Sequence, residues 1–279
     1  MTGRYNYRTG VVDTYQGRAM MYPDEITVAE VLAEAGYSTG IFGKWHLGDN
    51  YPIRPMDQGF QESLVHNGGG MGQPSDPPAS RFFDPQDDPK ATSPQYPFGR
   101  HYFDPILQHN GVEEKCAGYC TDIFAAAAIR FIEEHRTKPF FAYLATNAPH
   151  SPLEIDEKYV APYRKMGLDE TVAKTYGMLA NVGENIGRVL QKLEELGLSE
   201  NTLVIFMTDN GAAGLDRSAR FNAGLRAGKG TCYDGGIRVP FFVRWPRAVK
   251  PSMDIDRIAA HIDVFPTILQ ACGVPVPGA

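Results

Sequence analysis

The sequence predicts an α/β protein, a doubly wound and mainly parallel sheet sandwiched by helices. Two observations carry that expectation. Short apolar runs of strand length alternate with amphipathic segments of helical period along most of the 279 residues. The helical segments are long enough to cross over and return the chain to the same sheet edge, which makes successive strands parallel. A chain of 279 residues can bury one full core, so 1–279 reads as a single domain.

The elements follow in order. Ile26, Val31, Leu32 and Ala35 repeat at helical spacing and Gly36 ends the helix. A short strand over 37–42 comes next. From 66 to about 104 the chain is dense in Pro, Gly and Asp, which sustains neither helix nor strand and reads as a long insertion loop. A strong helix is predicted over 120–136, carrying Ile123, Phe124, Ala127, Ile129 and Ile132. The continuous apolar run 139–145 reads as a strand buried on both faces. A long amphipathic helix over 171–196 stops at Gly197. The run 202–208 reads as a central strand, 239–244 as another with Pro240 at its start, and 262–272 as a closing helix.

Composition excludes several classes. The net charge is −6 and no Lys/Arg block is present, which argues against a nucleic-acid partner. No apolar run reaches the roughly 18–20 residues that span a bilayer. The first residues, Met1-Thr-Gly-Arg, carry no hydrophobic signal region, which at face value reads as cytoplasmic. Cys116 and Cys120 share a C-x3-C spacing with no second His or Cys pair to complete a zinc set. They read as two thiols, with one disulfide available to an exported protein.

Four short segments can carry chemistry. Gly43-Lys44-Trp45-His46-Leu47-Gly48 sets a fixed cation two residues from an imidazole at the end of a strand. In an extended segment, Lys44 and His46 point to one side and can reach one small anion. Asn147-Ala-Pro-His150-Ser-Pro152 places His150 on a loop at the same sheet edge, where an imidazole suits general acid work. Asp209-Asn210-Gly211 offers two hard oxygens at a strand's C-terminal edge, or an ordinary Asx turn. Gly228-Lys229-Gly230 begins a glycine-rich run through Arg238 that lacks the nucleotide P-loop order. Its glycines allow close approach of backbone to a ligand while Lys229 supplies charge, or it is simply a flexible loop. His261 and Asp263 read as capping and packing groups, and His66, His101, His109 and His135 show no ligand spacing.

Taken in this order, Gly-Lys-Trp-His-Leu-Gly, Ala-Pro-His-Ser-Pro, Thr-Asp-Asn-Gly and Gly-Lys-Gly-Thr-x-Tyr-Asp-Gly-Gly-Ile-Arg-Val-Pro resemble the type I sulfatases. These are formylglycine-dependent members of the alkaline phosphatase superfamily. The closing stretch from His261 to Leu269 resembles them too. The resemblance implies hydrolysis of aryl or carbohydrate sulfate esters at a Ca2+ site, with Mg2+ as a substitute. It implies that Lys44 and Lys229 hold the sulfate oxygens. His150 would bind the ester and help protonate the leaving alcohol, and His46 would assist sulfate release. Asp209 and Asn210 would be two metal ligands. It also implies export, to the periplasm or outside the cell.

The sequence departs from the family pattern in one respect that bears on activity. No Cys-x-Pro-x-Arg or Ser-x-Pro-x-Arg run, the source of the formylglycine nucleophile, occurs in it. The family's earlier strand ending in paired aspartates and its small C-terminal subdomain are not matched either. The expectation is therefore an incomplete catalytic domain without turnover of its own. The alternatives are a pseudoenzyme that binds sulfated ligands, and a phosphodiesterase or phosphonate hydrolase on the same fold.

Overall fold

The computed structural model describes residues 1–13, 19–69, 71, 102–214 and 220–278. Helix α1, Val28–Glu34, starts at a capping box in which Thr27 and Glu30 exchange side-chain and backbone bonds. It leads into strand β1, Ser38–Lys44. Strand β2, Glu62–His66, is followed by the hairpin β3, Ile106–His109, and β4, Val112–Lys115. Helix α2, Cys120–Glu134, precedes β5, Phe140–Ala145. Helices α3, Glu157–Lys165, and α4, Glu170–Glu195, then lead to β6, Val204–Met207. The short α5, Asp234–Ile237, strand β7, Phe241–Arg244, and α6, His261–Ala271, complete the described elements.

Five strands form one sheet in the order β4-β3-β2-β1-β5. β1 runs parallel to both β2 and β5, as expected from crossover connections. The β2–β3 and β3–β4 pairings are antiparallel, so the sheet is mixed rather than mainly parallel. Asn110 and Gly111 join β3 to β4 with φ of 49° and 82°, the backbone of a tight hairpin.

Two layers hold the sheet. On one face Phe42 and Leu64 pack with Phe124, Ala128 and Phe131 of α2 and with Met178 of α4. On the other, Ile41, Val65 and Phe60 pack with Ala29 and Trp45. Burying each large apolar side chain contributes about 1.5–3 kcal/mol, so these layers dominate the stability of this half.

The run 202–208 was expected at the sheet centre. β6 instead pairs antiparallel with β7 in a separate two-stranded sheet. The physical consequence is exposure: Phe206 is 36% open and Phe242 65% open to solvent. β5 also departs from expectation, because β1 is its one hydrogen-bonded neighbour among the described residues. Its residues are partly open rather than buried on both faces. Most of the predicted insertion, 66–104, lies outside the described residues. The four cysteines are free thiols, with Cys120 fully buried. No described helix is long and apolar enough to cross a membrane.

Candidate active site

β1 and β5 lie side by side and parallel, so both release their chains at the same sheet edge. Lys44 closes β1, in register with His66 of β2. Gly43 makes the junction possible. A Cβ there would stand 2.0 Å from the Ala145 carbonyl oxygen, so only glycine lets β1 and β5 approach at this point. The strand ends at Lys44, and His46 adopts φ 50°. The expected same-side alternation of Lys44 and His46 does not apply, because a left-handed residue breaks the pleat. His46 is half-buried in the segment that follows.

The chain leaving β5 carries His150. Its Nδ1 donates to the Ser151 carbonyl at 2.8 Å, which assigns the proton to Nδ1 in the neutral ring and leaves Nε2 for a ligand. The loop is held from below: Tyr102 donates its hydroxyl to the His150 carbonyl at 2.7 Å. Glu154 accepts from the Tyr102 backbone, and its carbonyl takes the Tyr119 hydroxyl. Sequence reasoning missed this aromatic scaffold, whose parts are 48 and 35 residues apart along the chain. It also missed Asn147, which is buried beside Cys120, its amide nitrogen without a hydrogen-bond partner among the described residues. Asn147 opens the very motif that contains His150, so its position was visible while its burial was not.

The other side of the site comes from β6 and the glycine-rich loop. Asp209 follows β6 and is exposed. The Asn210 side chain donates to the Gly211 carbonyl, the local turn bonding that Asn favours. Gly211 donates to the Gly236 carbonyl at 3.0 Å and Lys229 to the Ala212 carbonyl at 2.9 Å, so the loop is latched to the end of β6. A Cβ on Gly211 would fall 1.8 Å from the Gly235 carbonyl oxygen, and no side chain fits between them. Arg226 stacks 3.7 Å over the Tyr233 ring and further orders the loop. His261 of α6 donates through Nε2 to the Thr208 carbonyl at 3.0 Å, a contact its sequence position did not suggest.

Electrostatics tie the two sides together. Burial holds the Lys44 ammonium below its ordinary pKa; Asp209 opposes that shift and Lys229 adds to it. Burial also lowers His150, with the charges of Lys229 and Lys44 acting the same way and Asp209 and the Ser151 carbonyl against it. Tyr143 of β5 is raised by packing around its hydroxyl and by Asp209. Lys44 and His150, from two segments, thus both feel the charges of Asp209 and Lys229, from two others. The structure brings together Lys44, His150, Asp209 and Lys229 from the residues singled out in the sequence.

The family profile described as Sulfatase matches residues 1–274. The chain belongs to the sulfatase family. Mouse N-acetylgalactosamine-6-sulfatase is 30% identical, the match covering 99% of this chain and 52% of the mouse protein. Human arylsulfatase A is also 30% identical, over 99% of this chain and 54% of its own length. The chain thus spans about half the length of these curated relatives. Among solved structures, Ps i-CgsB in complex with k-i-k-neocarrahexaose is 31% identical with a TM-score of 0.82, covering 99% of this chain and 60% of that one. The fold is that of the sulfatases and the alkaline phosphatase superfamily, with a mixed central sheet.

The Ca2+ site that the resemblance implies would need a larger donor set than the described residues offer. Asp209 and Asn210 offer two side-chain oxygens, and Asn210 spends its amide on the turn. No group of three or more His, Cys, Asp or Glu among the described residues converges on a common point. Ca2+ takes six to eight oxygens, so the described residues do not by themselves fit the ion.

Proposed function

We propose that this chain provides the sulfate-binding half of a sulfate ester hydrolase, acting on aryl or carbohydrate sulfates. The feature that carries the reading is the approach of Lys44, His150 and Lys229: the charge of Lys229 bears on both Lys44 and His150, and that of Lys44 on His150. Two ammonium groups and an imidazole match a tetrahedral anion with several acceptor oxygens. Lys44, half-buried, pulls harder on such an anion than an exposed lysine does, because less water screens it. Lys229 is exposed and completes the clamp from the latched loop.

His150 has the proton arrangement for a general acid. With Nδ1 committed to Ser151, Nε2 is the atom that takes and delivers a proton. A bound sulfate places negative charge against it and favours the protonated ring, offsetting the lowering by Lys44 and Lys229. His46 is proposed to assist sulfate release, as the family resemblance implies.

Asp209 and Asn210 are proposed as two oxygen donors of a cation site completed by further donors beyond the described residues, and no step is routed through the ion. Among the described residues β5 and the β6–β7 pair each end a sheet, and a further strand would satisfy the backbone groups that such edges leave unpaired, which supports this reading. The 279 residues form one catalytic domain in this account. Without a formylglycine precursor motif they turn over no ester by themselves, and the protein would work outside the cytoplasm.

Isothermal titration with inorganic sulfate tests the reading. Wild type should bind, while Lys229→Ala and Lys44→Ala should each weaken binding about tenfold or more, the worth of a charge-assisted hydrogen bond. Equal affinities in wild type and both variants would reject it, and so would measurable ester hydrolysis by the isolated chain.

A further inference from the structure

The loop that carries His150, residues 146–156, has no helix or strand of its own. A strong hold on it reaches in from another part of the chain. Tyr102 lies 48 residues before His150 and is 0% exposed. Its hydroxyl donates to the His150 carbonyl at 2.7 Å, and its backbone N–H donates to the Glu154 carboxylate at 3.0 Å. One buried residue thus grips the loop at the peptide that bears the imidazole and again at Glu154.

Tyr102 is in turn tied to α2. Its carbonyl accepts the N–H of Cys120, the first residue of that helix, at 2.7 Å. Its ring stacks on Tyr119 with centroids 5.6 Å apart, and the next residue, Phe103, forms a β-bridge with Tyr119. Helix α2 packs through Phe124, Ala128 and Phe131 around Phe42 of β1, the strand that ends at Lys44.

We infer that Tyr102 is a positioning residue for His150: its hydroxyl sets the peptide from which the imidazole hangs, so that α2 places the ring relative to Lys44. The inference rests on the sulfate-binding reading and adds to it a group that no ligand can touch, because Tyr102 is fully buried. Three bonds hold His150. Its N–H donates to the Asn147 carbonyl at 2.9 Å, its carbonyl accepts from Tyr102, and its Nδ1 donates to the Ser151 carbonyl at 2.8 Å. The first and third are internal to the loop and would travel with it. Of the three, only the Tyr102 bond ties His150 to the helical layer.

The chemistry suits a permanent tie. A carbonyl only accepts, so the phenol must donate. Burial pushes the Tyr102 phenol well above its ordinary pKa, with Cys120, Tyr119 and Glu154 acting the same way, so the donor keeps its proton. Misplacing a reacting group by about 1 Å can cost about a hundredfold in rate, so a general acid gains from such a hold. The Tyr119 hydroxyl makes a comparable bond to the Glu154 carbonyl at 2.9 Å, away from the His150 peptide, and supplies a matched control.

Two conservative variants of the full 279-residue chain test the inference. Tyr102→Phe and Tyr119→Phe each delete one hydroxyl and keep the stacked rings, so both should lower the urea midpoint by similar amounts. Titration calorimetry with inorganic sulfate should show affinity falling about three- to tenfold in Tyr102→Phe and staying within about twofold in Tyr119→Phe. Nitrogen NMR of the His150 ring, without sulfate and at a pH where the ring is neutral, gives a readout that lost stability alone does not move. Wild type and Tyr119→Phe should carry the proton on Nδ1, whereas Tyr102→Phe should show a mixture with the Nε2–H tautomer. Equal losses of sulfate affinity in the two variants, or a His150 ring unchanged in Tyr102→Phe, would overturn the inference. If wild type binds no sulfate, the anion clamp fails, and the ring tautomer alone decides whether Tyr102 positions His150.

Discussion

The five-stranded half and the β6–β7 half each contribute a lysine to the site, but they hold it in different ways. In the first, Phe124 and Phe42 are sealed between sheet and helices, and Lys44 sits half-buried at the end of a paired strand. In the second, Phe242 is 65% exposed, and exposed Lys229 is positioned by glycine contacts and backbone hydrogen bonds. Packing sets the electrostatics of Lys44, whereas backbone geometry sets the place of Lys229. The difference teaches that, in the proposed function, one anion site draws on a core and on a latch together. Damage to either should then leave distinct signatures.

The largest expected contrast is in stability. Phe124→Ala should cost about 3–5 kcal/mol by opening a cavity in the core, read from urea unfolding. Phe242→Ala on the open strand should cost about 0.5 kcal/mol, as surface substitutions do. Similar costs for the two would erase the distinction between the halves.

Glycine substitutions sharpen the comparison. Gly43→Ala collides with the Ala145 carbonyl and should lower the main unfolding transition by about 1–3 kcal/mol. Gly211→Ala collides with the Gly235 carbonyl and displaces the latch. Its main transition should hold while sulfate affinity falls about tenfold. If Gly211→Ala instead unfolds the five-stranded half, the two halves are one cooperative unit.

The smallest effect belongs to the far edge of the sheet. His109 bonds Glu62 and Glu114 at 2.9 and 2.5 Å, tying β2, β3 and β4 together. Burial alone would lower its pKa, but the two carboxylates outweigh it and raise it. Its folded pKa stands above the unfolded value of about 6.5, so the stabilisation is full below that pH and is lost as pH rises through the folded value. Solvent screening limits it to about 0.2–1 kcal/mol. His109→Ala should therefore destabilise more at pH 6 than at pH 8, and an equal loss at both would remove the ion pairs from the account.

Much of this was legible in the sequence. The helices over 120–136 and 171–196 lie within two residues of α2 and α4, because long amphipathic periods are strong signals. Strand existence was equally visible, but strand placement was not. The run from Thr202 to Thr208 has the apolar content of a central strand, and its sequence says nothing about which neighbours it will find. The β3–β4 hairpin carried a plain Asn-Gly turn signal and was passed over beside the Pro/Gly-rich stretch. Helix α3 was hidden by Pro162 within it. Lys44, His46, His150, Asp209, Asn210 and Lys229 stood out from motif order as candidate residues, while Tyr102, Glu154 and Asn147 did not. Their roles come from long-range contacts that local pattern does not encode.

The central claim is that Lys44, His150 and Lys229 share one sulfate. An NMR titration of the His150 ring, with and without inorganic sulfate, tests it most directly. Without sulfate its pKa should lie below about 6.5, and saturating sulfate should raise it to that value or above. In Lys229→Ala the sulfate-free pKa should be higher than in wild type, because a neighbouring cation is gone, and sulfate should move it less. A His150 pKa that ignores both sulfate and the loss of Lys229 would contradict the account.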